Sequence, residues 1–186
     1  MIRLENIEKS YDGHSVLGGF SADIDDGETV ILFGDSGAGK TTLLRLLLGL
    51  EKPDAGSVDV SGAVFSAVFQ EDRLCAYADA VDNVTMVTKT LAVKDAENEL
   101  KTLLPENRLH IPVGELSGGE KRRVAIVRAM CHEADAYLLD EPFTGLDEDM
   151  KRQAMEYIRR KTAGKTLIIT AHEEWQYDTG RKIEIK

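Results

Sequence analysis

The sequence is short of cysteine, of long apolar runs and of positive charge, and each shortage excludes something. Cys75 and Cys131 are its only cysteines. They lie far apart and form no Cys-x-x-Cys pair, which excludes a disulfide framework and reads as two reduced, partly buried thiols of a cytosolic protein. No apolar run approaches the roughly 18–20 residues of a membrane span, and the longest, Leu46 to Leu50, is broken by Gly49. Met1 leads straight into Ile2-Arg3-Leu4-Glu5 without the basic region and apolar core of an export signal. Lysine and arginine number 23 against 33 aspartates and glutamates, a formal charge of −10. An acidic surface repels nucleic-acid backbones and anionic lipid, so any anion must be held by a local device. Internal repeats, low-complexity segments and linkers are absent too. What is there is one ordinary domain's worth of chain: 186 residues, 42% apolar and 30% charged, a size that buries about 70% of its unfolded surface.

Residues 2–7 and 20–24, where Phe20, Ala22 and Ile24 alternate with polar neighbours, read as half-buried strands. Val30 to Phe33, Tyr137 to Leu139 and Leu167 to Ile169 are short continuous apolar runs, as in parallel strands covered on both faces, and Val64 to Phe69 is a fourth candidate. Helical stretches separate them. The clearest is 148–162, with Met150, Ala154, Tyr157 and Ile158 on one face, Asp147 as its cap, acids in its first turn and Arg159, Arg160 and Lys161 in its last. Such alternation implies an open α/β sheet with its ligand at the carboxyl ends of the strands. Residues 72–116 are more charged and less strand-like, a small inserted helical lobe.

Gly34-Asp35-Ser36-Gly37-Ala38-Gly39-Lys40-Thr41-Thr42 follows one apolar strand directly and opens a leucine-rich helix. This is a phosphate loop. Its glycines let the backbone curl so that several N–H groups point inward, and the helix's positive end adds to their pull on an anion. Lys40 reaches the β- and γ-phosphates of a nucleotide, and the Thr41 hydroxyl ligates Mg²⁺. Farther on, the strand Ala136 to Asp140 ends in Asp140-Glu141-Pro142. Asp140 is placed to hold Mg²⁺ through water and Glu141 to polarise an attacking water as general base. Together these elements point to a nucleoside triphosphatase, without saying which.

Leu116-Ser117-Gly118-Gly119-Glu120 opens a further helix. Ser117 with Glu120 is a capping box, but two glycines inside it cost helix stability, about 1 kcal/mol each. Their use is close backbone approach to an anion. Lying between the phosphate loop and the Asp-Glu strand, this motif resembles the signature of ATP-binding cassette (ABC) proteins. Other positions match that family in order: Tyr11 its adenine-stacking aromatic, and Gln70 the glutamine between its lobes that touches Mg²⁺ or water. Asp147, in Thr144-Gly145-Leu146-Asp147, matches the aspartate that crosses the dimer, and His172 the histidine on the γ-phosphate. Each has a plainer alternative: a packed tyrosine, a solvated amide, a helix cap, a structural histidine. Lys121-Arg122-Arg123 reads as a solvated helix face, with the arginine at position 123 orienting the signature helix, and Trp175 as packing. His14, His110 and His132 share no metal-ligand spacing.

The resemblance implies a phosphate-loop, RecA-like fold with a mostly parallel sheet, an antiparallel β subdomain and a small helical signature subdomain at about 72–130, inserted in a single ATPase domain spanning 1–186. It implies ATP and Mg²⁺ as cofactors, with Thr41, Gln70 and Asp140 at the metal. Residues 34–42 and Tyr11 would hold one nucleotide face, and Ser117, Gly118, Gly119 and Asp147 of a second copy the other, with Lys40, Gln70, Glu141 and His172 catalytic. It further implies separate membrane permease subunits docked near Gln70 and residues 71–84, so the chain would sit on the cytoplasmic face of the membrane. Val68 to Leu74 is similar to the nitrate, sulfonate and taurine importer group. The chain departs from the family in being a few dozen residues shorter, after Gly56, in the 72–116 lobe and after His172, which 14 residues follow. No C-terminal regulatory domain is therefore expected. It also carries Glu120 where glutamine is usual and Thr-Gly-Leu where Ser-Ala-Leu is frequent. A cassette ATPase acting on DNA or ribosomes is the alternative, opposed by the charge and by the lack of coiled-coil insertions or a tandem cassette. An unrelated phosphate-loop kinase or GTPase is opposed by the Gly-Gly motif, by His172 and by the lack of an Asn-Lys-x-Asp tetrad.

Overall fold

The computed structural model describes residues 1–88, 90–171 and 180–186. They form two compact units, one made of Met1–Phe65, Asp135–Glu141 and Gly164–Lys186, the other of Ser66–Ala134 and Pro142–Ala163.

In the first unit β1 (Ile2–Tyr11) and β2 (His14–Ile24) form an antiparallel hairpin, and β4 (Ala55–Asp59) pairs with the other edge of β1. Both hairpin strands are longer than the alternation predicts. Beyond Ile7 and before Leu17 most side chains are exposed, so no apolar period marks them. The turn Asp12-Gly13, with φ of 50° and 81°, supplies the left-handed pair that a two-residue hairpin requires. A bulge between Leu4 and Ile7, with Asn6 at φ 46°, lets both apolar residues face inward although they are three apart. Gly56 of β4 lies against the backbone carbonyls of Glu5 and Asn6, where any Cβ would collide.

The same unit carries β3 (Thr29–Phe33), β6 (Ala136–Asp140), β7 (Thr166–Ala171) and β8 (Arg181–Glu184), all parallel, in the order β6-β7-β3-β8. Every residue of β6 and β7 is buried, as expected for strands covered on both faces. Strand β8, short and polar at Arg181-Lys182-Ile183-Glu184, carries no such signal and is recognisable only from its pairing with β3. The parallel register brings the carboxyl ends of β3, β6 and β7 to one edge, and α1 (Lys40–Leu47) follows β3 there through the phosphate loop.

Strand β5 (Phe65–Val68) carries the chain into the second unit. There α2 (Ala80–Thr85), α3 (Val93–Leu100), α4 (Gly118–Cys131) and α5 (Glu148–Lys161) pack together around Val84, Leu100, Val124, Ile126, Val127, Ala154 and Ile158. Among the described residues 72–116 holds no strand, only α2, α3 and two single 3₁₀ turns. Helix α5 buries Ala154, Tyr157 and Ile158 at helical spacing, and the Asp147 carboxylate accepts the Met150 amide hydrogen at 2.9 Å, as a cap should. The Asn83 side chain, fully buried, holds the turn at residues 75–79: its oxygen accepts the Cys75 amide and its nitrogen donates to the carbonyls of Cys75 and Asp79. Cys75 is exposed, which corrects its reading as a partly buried thiol; Cys131 is half-buried.

Candidate functional site

The phosphate loop, Asp140 and Glu141 all belong to the first unit, and the structure brings them together. Lys40 is buried and donates to the carbonyls of Gly34 and Asp35 at 2.7 and 2.9 Å, tying its ammonium to the loop it closes. Glycine is required at two positions in particular. Gly39 (φ 97°) is wedged against Val16 and Leu17, with a Cβ position 2.9 Å from the Leu17 Cδ2, and Gly34 (φ 156°) lies against the Ile185 carbonyl oxygen, where a Cβ would collide. Position 37 is open, so its glycine answers to φ 85° alone. Asp35, Ser36, Gly37 and Thr41 are exposed, Ala38 and Thr42 half-buried.

The Thr41 hydroxyl donates to the Asp140 carboxylate at 2.8 Å, and Thr170 donates to its other oxygen at 2.7 Å. A buried carboxylate held from both sides has little freedom to move. With the Thr41 hydroxyl it forms a set of hard oxygen donors that suits Mg²⁺, so these residues fit the metal implied by the loop. Glu141 follows with φ 46°, a left-handed conformation that is strained for a side-chain-bearing residue, and its amide donates to the Thr170 hydroxyl at 2.9 Å. Thr170 therefore holds both carboxylate-bearing residues. Sequence reasoning missed it as a site residue; the signal was a lone hydroxyl closing the apolar run Leu167 to Ile169.

Tyr11, at the end of β1, is 40% exposed. Its hydroxyl donates to Glu51, which also pairs with Arg45 at 2.7 Å. Partial burial and then the Glu51 contact raise its pKa above the ordinary phenol value, while a bond from the Thr42 side chain opposes the rise. Tyr11 thus stands next to the phosphate-loop helix.

The remaining candidates lie in the second unit. Ser117 and Gly118 are exposed at the start of α4, and the capping box is formed as expected. Gly118 meets nothing within 4 Å of a Cβ position, so nothing in this chain's own packing demands glycine there; a Cβ at Gly119 would stand 3.2 Å from the Gly145 carbonyl oxygen, so the signature lies beside the loop that ends in Asp147. Asp147 is exposed and caps α5, so its plainer reading is realised in the geometry. The Gln70 side chain is exposed while its carbonyl accepts from Arg122. His172 and Trp175 lie outside the described residues.

A further expectation is overturned. Lys121-Arg122-Arg123 is not a solvated face: Arg122 is 3% exposed, and Arg123 donates to the carbonyls of Gly119 and Leu103 at 3.2 and 2.6 Å. A run of three charges reads as solvated only when no acceptors wait for it. Here each of the three finds a backbone carbonyl: Lys121 that of Gly114, Arg122 those of Phe69, Gln70 and Pro142, and Arg123 those of Gly119 and Leu103.

A second feature had no local signal. Arg108 grips Glu120 with two bonds, of 2.8 and 3.0 Å, while Glu120 also accepts the Ser117 amide at 2.8 Å. The Arg108 guanidinium foremost, then the Ser117 groups, hold the Glu120 carboxyl down at about 2. A depressed carboxyl adds stability that is complete above its ordinary value near 4.5 and fades as the pH falls toward 2. Glu120→Gln is expected to keep the cap, lower the melting temperature at pH 7, and show a deficit that shrinks between pH 4.5 and 2 in pH-resolved thermal melts. A deficit that stays constant with pH refutes the assignment.

The family model described as ABC transporter matches residues 17–144, which contain the phosphate loop, Gln70, the signature and Asp140-Glu141. The chain belongs to the ABC transporter family. It is 31% identical over 192 residues to the spermidine/putrescine import ATP-binding protein PotA of Mycoplasma capricolum, covering 94% of this chain and 55% of that one. It is 43% identical over 147 residues to the aliphatic sulfonates import ATP-binding protein SsuB 1 of Pseudomonas fluorescens, covering 78% of this chain and 56% of that one. The resemblance of Val68 to Leu74 to sulfonate importers agrees with the second match. The chain spans little more than half the length of these curated relatives. Its fold matches the ATP-binding cassette MJ0796, solved as a dimer in a post-hydrolysis state bound to ADP and Pi, with a TM-score of 0.90 at 27% identity over 100% of this chain and 94% of that one. The phosphate-loop ATPase fold anticipated from the motifs is thus the fold of this ABC chain. Among the described residues no helix is long and apolar enough to cross a membrane.

Proposed function

We propose that this ABC chain binds and hydrolyses ATP to energise solute transport through separate permease subunits. The observation that carries the reading is the chain Thr41–Asp140–Thr170 with Glu141 on a strained backbone beside it. Lys40, now held by loop carbonyls, turns to the β- and γ-phosphates. Thr41 and Asp140 would hold Mg²⁺, Asp140 through water, with Gln70 at the same metal or its water; the ion neutralises charge on the triphosphate. Residues 34–42 wrap the phosphates and Tyr11 stacks on the adenine. Glu141 takes the proton of the attacking water, and His172 contacts the γ-phosphate. Residues 1–186 work as one ATPase domain in which the helical subdomain, about 72–130, carries the signature.

Two copies pair head to tail, so that Ser117, Gly118, Gly119 and Asp147 of one face the nucleotide on the other. The open position of Gly118 and the exposure of Ser117 support this, because both leave the α4 amides accessible. The permease docks around Gln70 and residues 71–84, where Tyr77 is 96% exposed. That placement puts the chain on the cytoplasmic face of the membrane. The relatives named for spermidine/putrescine and aliphatic sulfonate import support a transport role of this kind.

The direct test is calorimetric and chemical. Mg-ATP is expected to stabilise the chain, by about 2.7 kcal/mol at 100 times the dissociation constant, and phosphate release should accompany it. Lys40→Ala should lose most of both. Stabilisation equal in wild type and Lys40→Ala would refute the site.

A further inference from the structure

Helix α4 carries two guanidinium groups that close on the segment following β5. Arg122 Nη1 donates to the carbonyls of Phe69 and Gln70 at 2.5 and 3.3 Å and to the Asp72 carboxylate at 3.1 Å, while its Nε donates to the Pro142 carbonyl at 3.2 Å. Six residues on, Arg128 donates to the carbonyls of Asp72 and Arg73 at 2.9 and 2.8 Å. Arg73 itself has φ 48°, and its guanidinium lies 3.8 Å from the centre of the Phe69 ring. Residues 69–73 are therefore held to one helix at nearly every step.

Arg122 is 3% exposed. A buried guanidinium is a poor way to gain stability, since desolvation offsets most of its attraction and an apolar residue packs as well. What it does provide is geometry. Its planar fork presents donors in fixed directions, which a lysine cannot do. The acceptors here are backbone carbonyls, so what is held is the backbone that carries the exposed Gln70 side chain. Pro142, its fourth acceptor, directly follows Glu141 in the chain.

We propose that Arg122 is a positioning residue for Gln70, fixing the backbone of residues 69–72 on α4 so that the glutamine is presented in one arrangement. This rests on the assignment of Gln70 to the ATP site. The carbonyls of Phe69 and Gln70 take their bonds from the same Nη1, so Arg122→Gln frees both at once. Arg122→Lys restores the charge but not the fork and should fall between the two. Arg128 keeps its hold on Asp72 and Arg73 in both variants, which confines the change to the start of the segment.

The test uses the full chain and two readouts. In nucleotide-free protein, amide hydrogen exchange over residues 69–73 should speed up in Arg122→Gln and, less, in Arg122→Lys, while α4 itself stays protected. In steady-state ATP turnover, Arg122→Gln should lower kcat roughly 10- to 100-fold, the range for losing a group that orients a ligand-bearing residue, with KM for ATP little changed because residues 34–42 are untouched. In a Gln70→Ala background the same substitution should cost nothing more. Equal fold-losses in both backgrounds, or unaltered exchange over 69–73, would overturn the proposal and leave Arg122 a packing residue. Should Arg122→Gln fail to fold, Arg122→Lys carries the same cycle. Wild-type turnover in Gln70→Ala alone would instead remove Gln70 from the site, a separate result that overturns the assignment on which the proposal stands.

Discussion

Glu141→Gln is expected to abolish turnover while leaving ATP bound, so that the variant accumulates as an ATP-loaded dimer. The amide keeps the size and the left-handed backbone of the residue, and the Thr170 bond to its amide hydrogen is unaffected. Only the capacity to take a proton is lost. General-base catalysis contributes roughly 10²–10⁴-fold, and in the proposed cycle hydrolysis releases a nucleotide-glued dimer, so blocking it should trap the closed state. Size-exclusion chromatography with Mg-ATP, read beside phosphate release, checks both parts. A hydrolysis rate equal to wild type would strip Glu141 of its role, and a strictly monomeric inactive variant would count against ATP as the glue.

Ser117→Arg is expected to be as damaging by a different route. It places a long cation on the exposed N-terminal amides of α4, where the signature would meet the partner's terminal phosphate, and it removes the hydroxyl that caps the helix. Loss of one such donor costs roughly 10²–10³-fold in catalysis. Nucleotide binding to a single chain should survive, because the phosphate loop lies in the other unit and is unaltered. Mixing the Ser117→Arg chain with the Lys40→Ala chain makes this specific. Each mixed dimer regains one composite site: one chain supplies an intact loop and the other an intact signature. With random two-fold pairing, recovery should approach about a quarter of the wild-type rate. No recovery would refute sharing between copies.

How far these residues were legible follows from where their partners lie in the chain. The phosphate loop could be read because its contacts are local: Lys40 bonds carbonyls five and six residues back. The capping box of Ser117 and Glu120, and the Asp147 cap, span three residues each and were equally visible. Asp140 and Glu141 were legible as the polar end of an apolar strand. Their joint anchor Thr170 was not, since it stands 29 and 30 positions away. Arg122 was misread for the same reason. Its acceptors at Phe69 and Gln70 lie 53 and 52 residues upstream, and nothing within its own helix marks it as buried.

From sequence alone, then, the chain shows the features on which the proposed chemistry rests: a glycine-rich loop before a helix, a strand ending in two carboxylates, and a pair of glycines at a second helix start. Those features depend on spacing within a few residues, where covalent geometry and short hydrogen bonds leave few alternatives. The tertiary structure decided which groups are held still. The Thr170 hydroxyl between two acidic residues, the Arg108 fork on Glu120 and the arginine grip on residues 69–73 all join segments that only folding brings together. A buried charge can exist only where the whole chain has supplied its acceptors, and that supply is set by the packing of the helices and strands rather than by any local pattern.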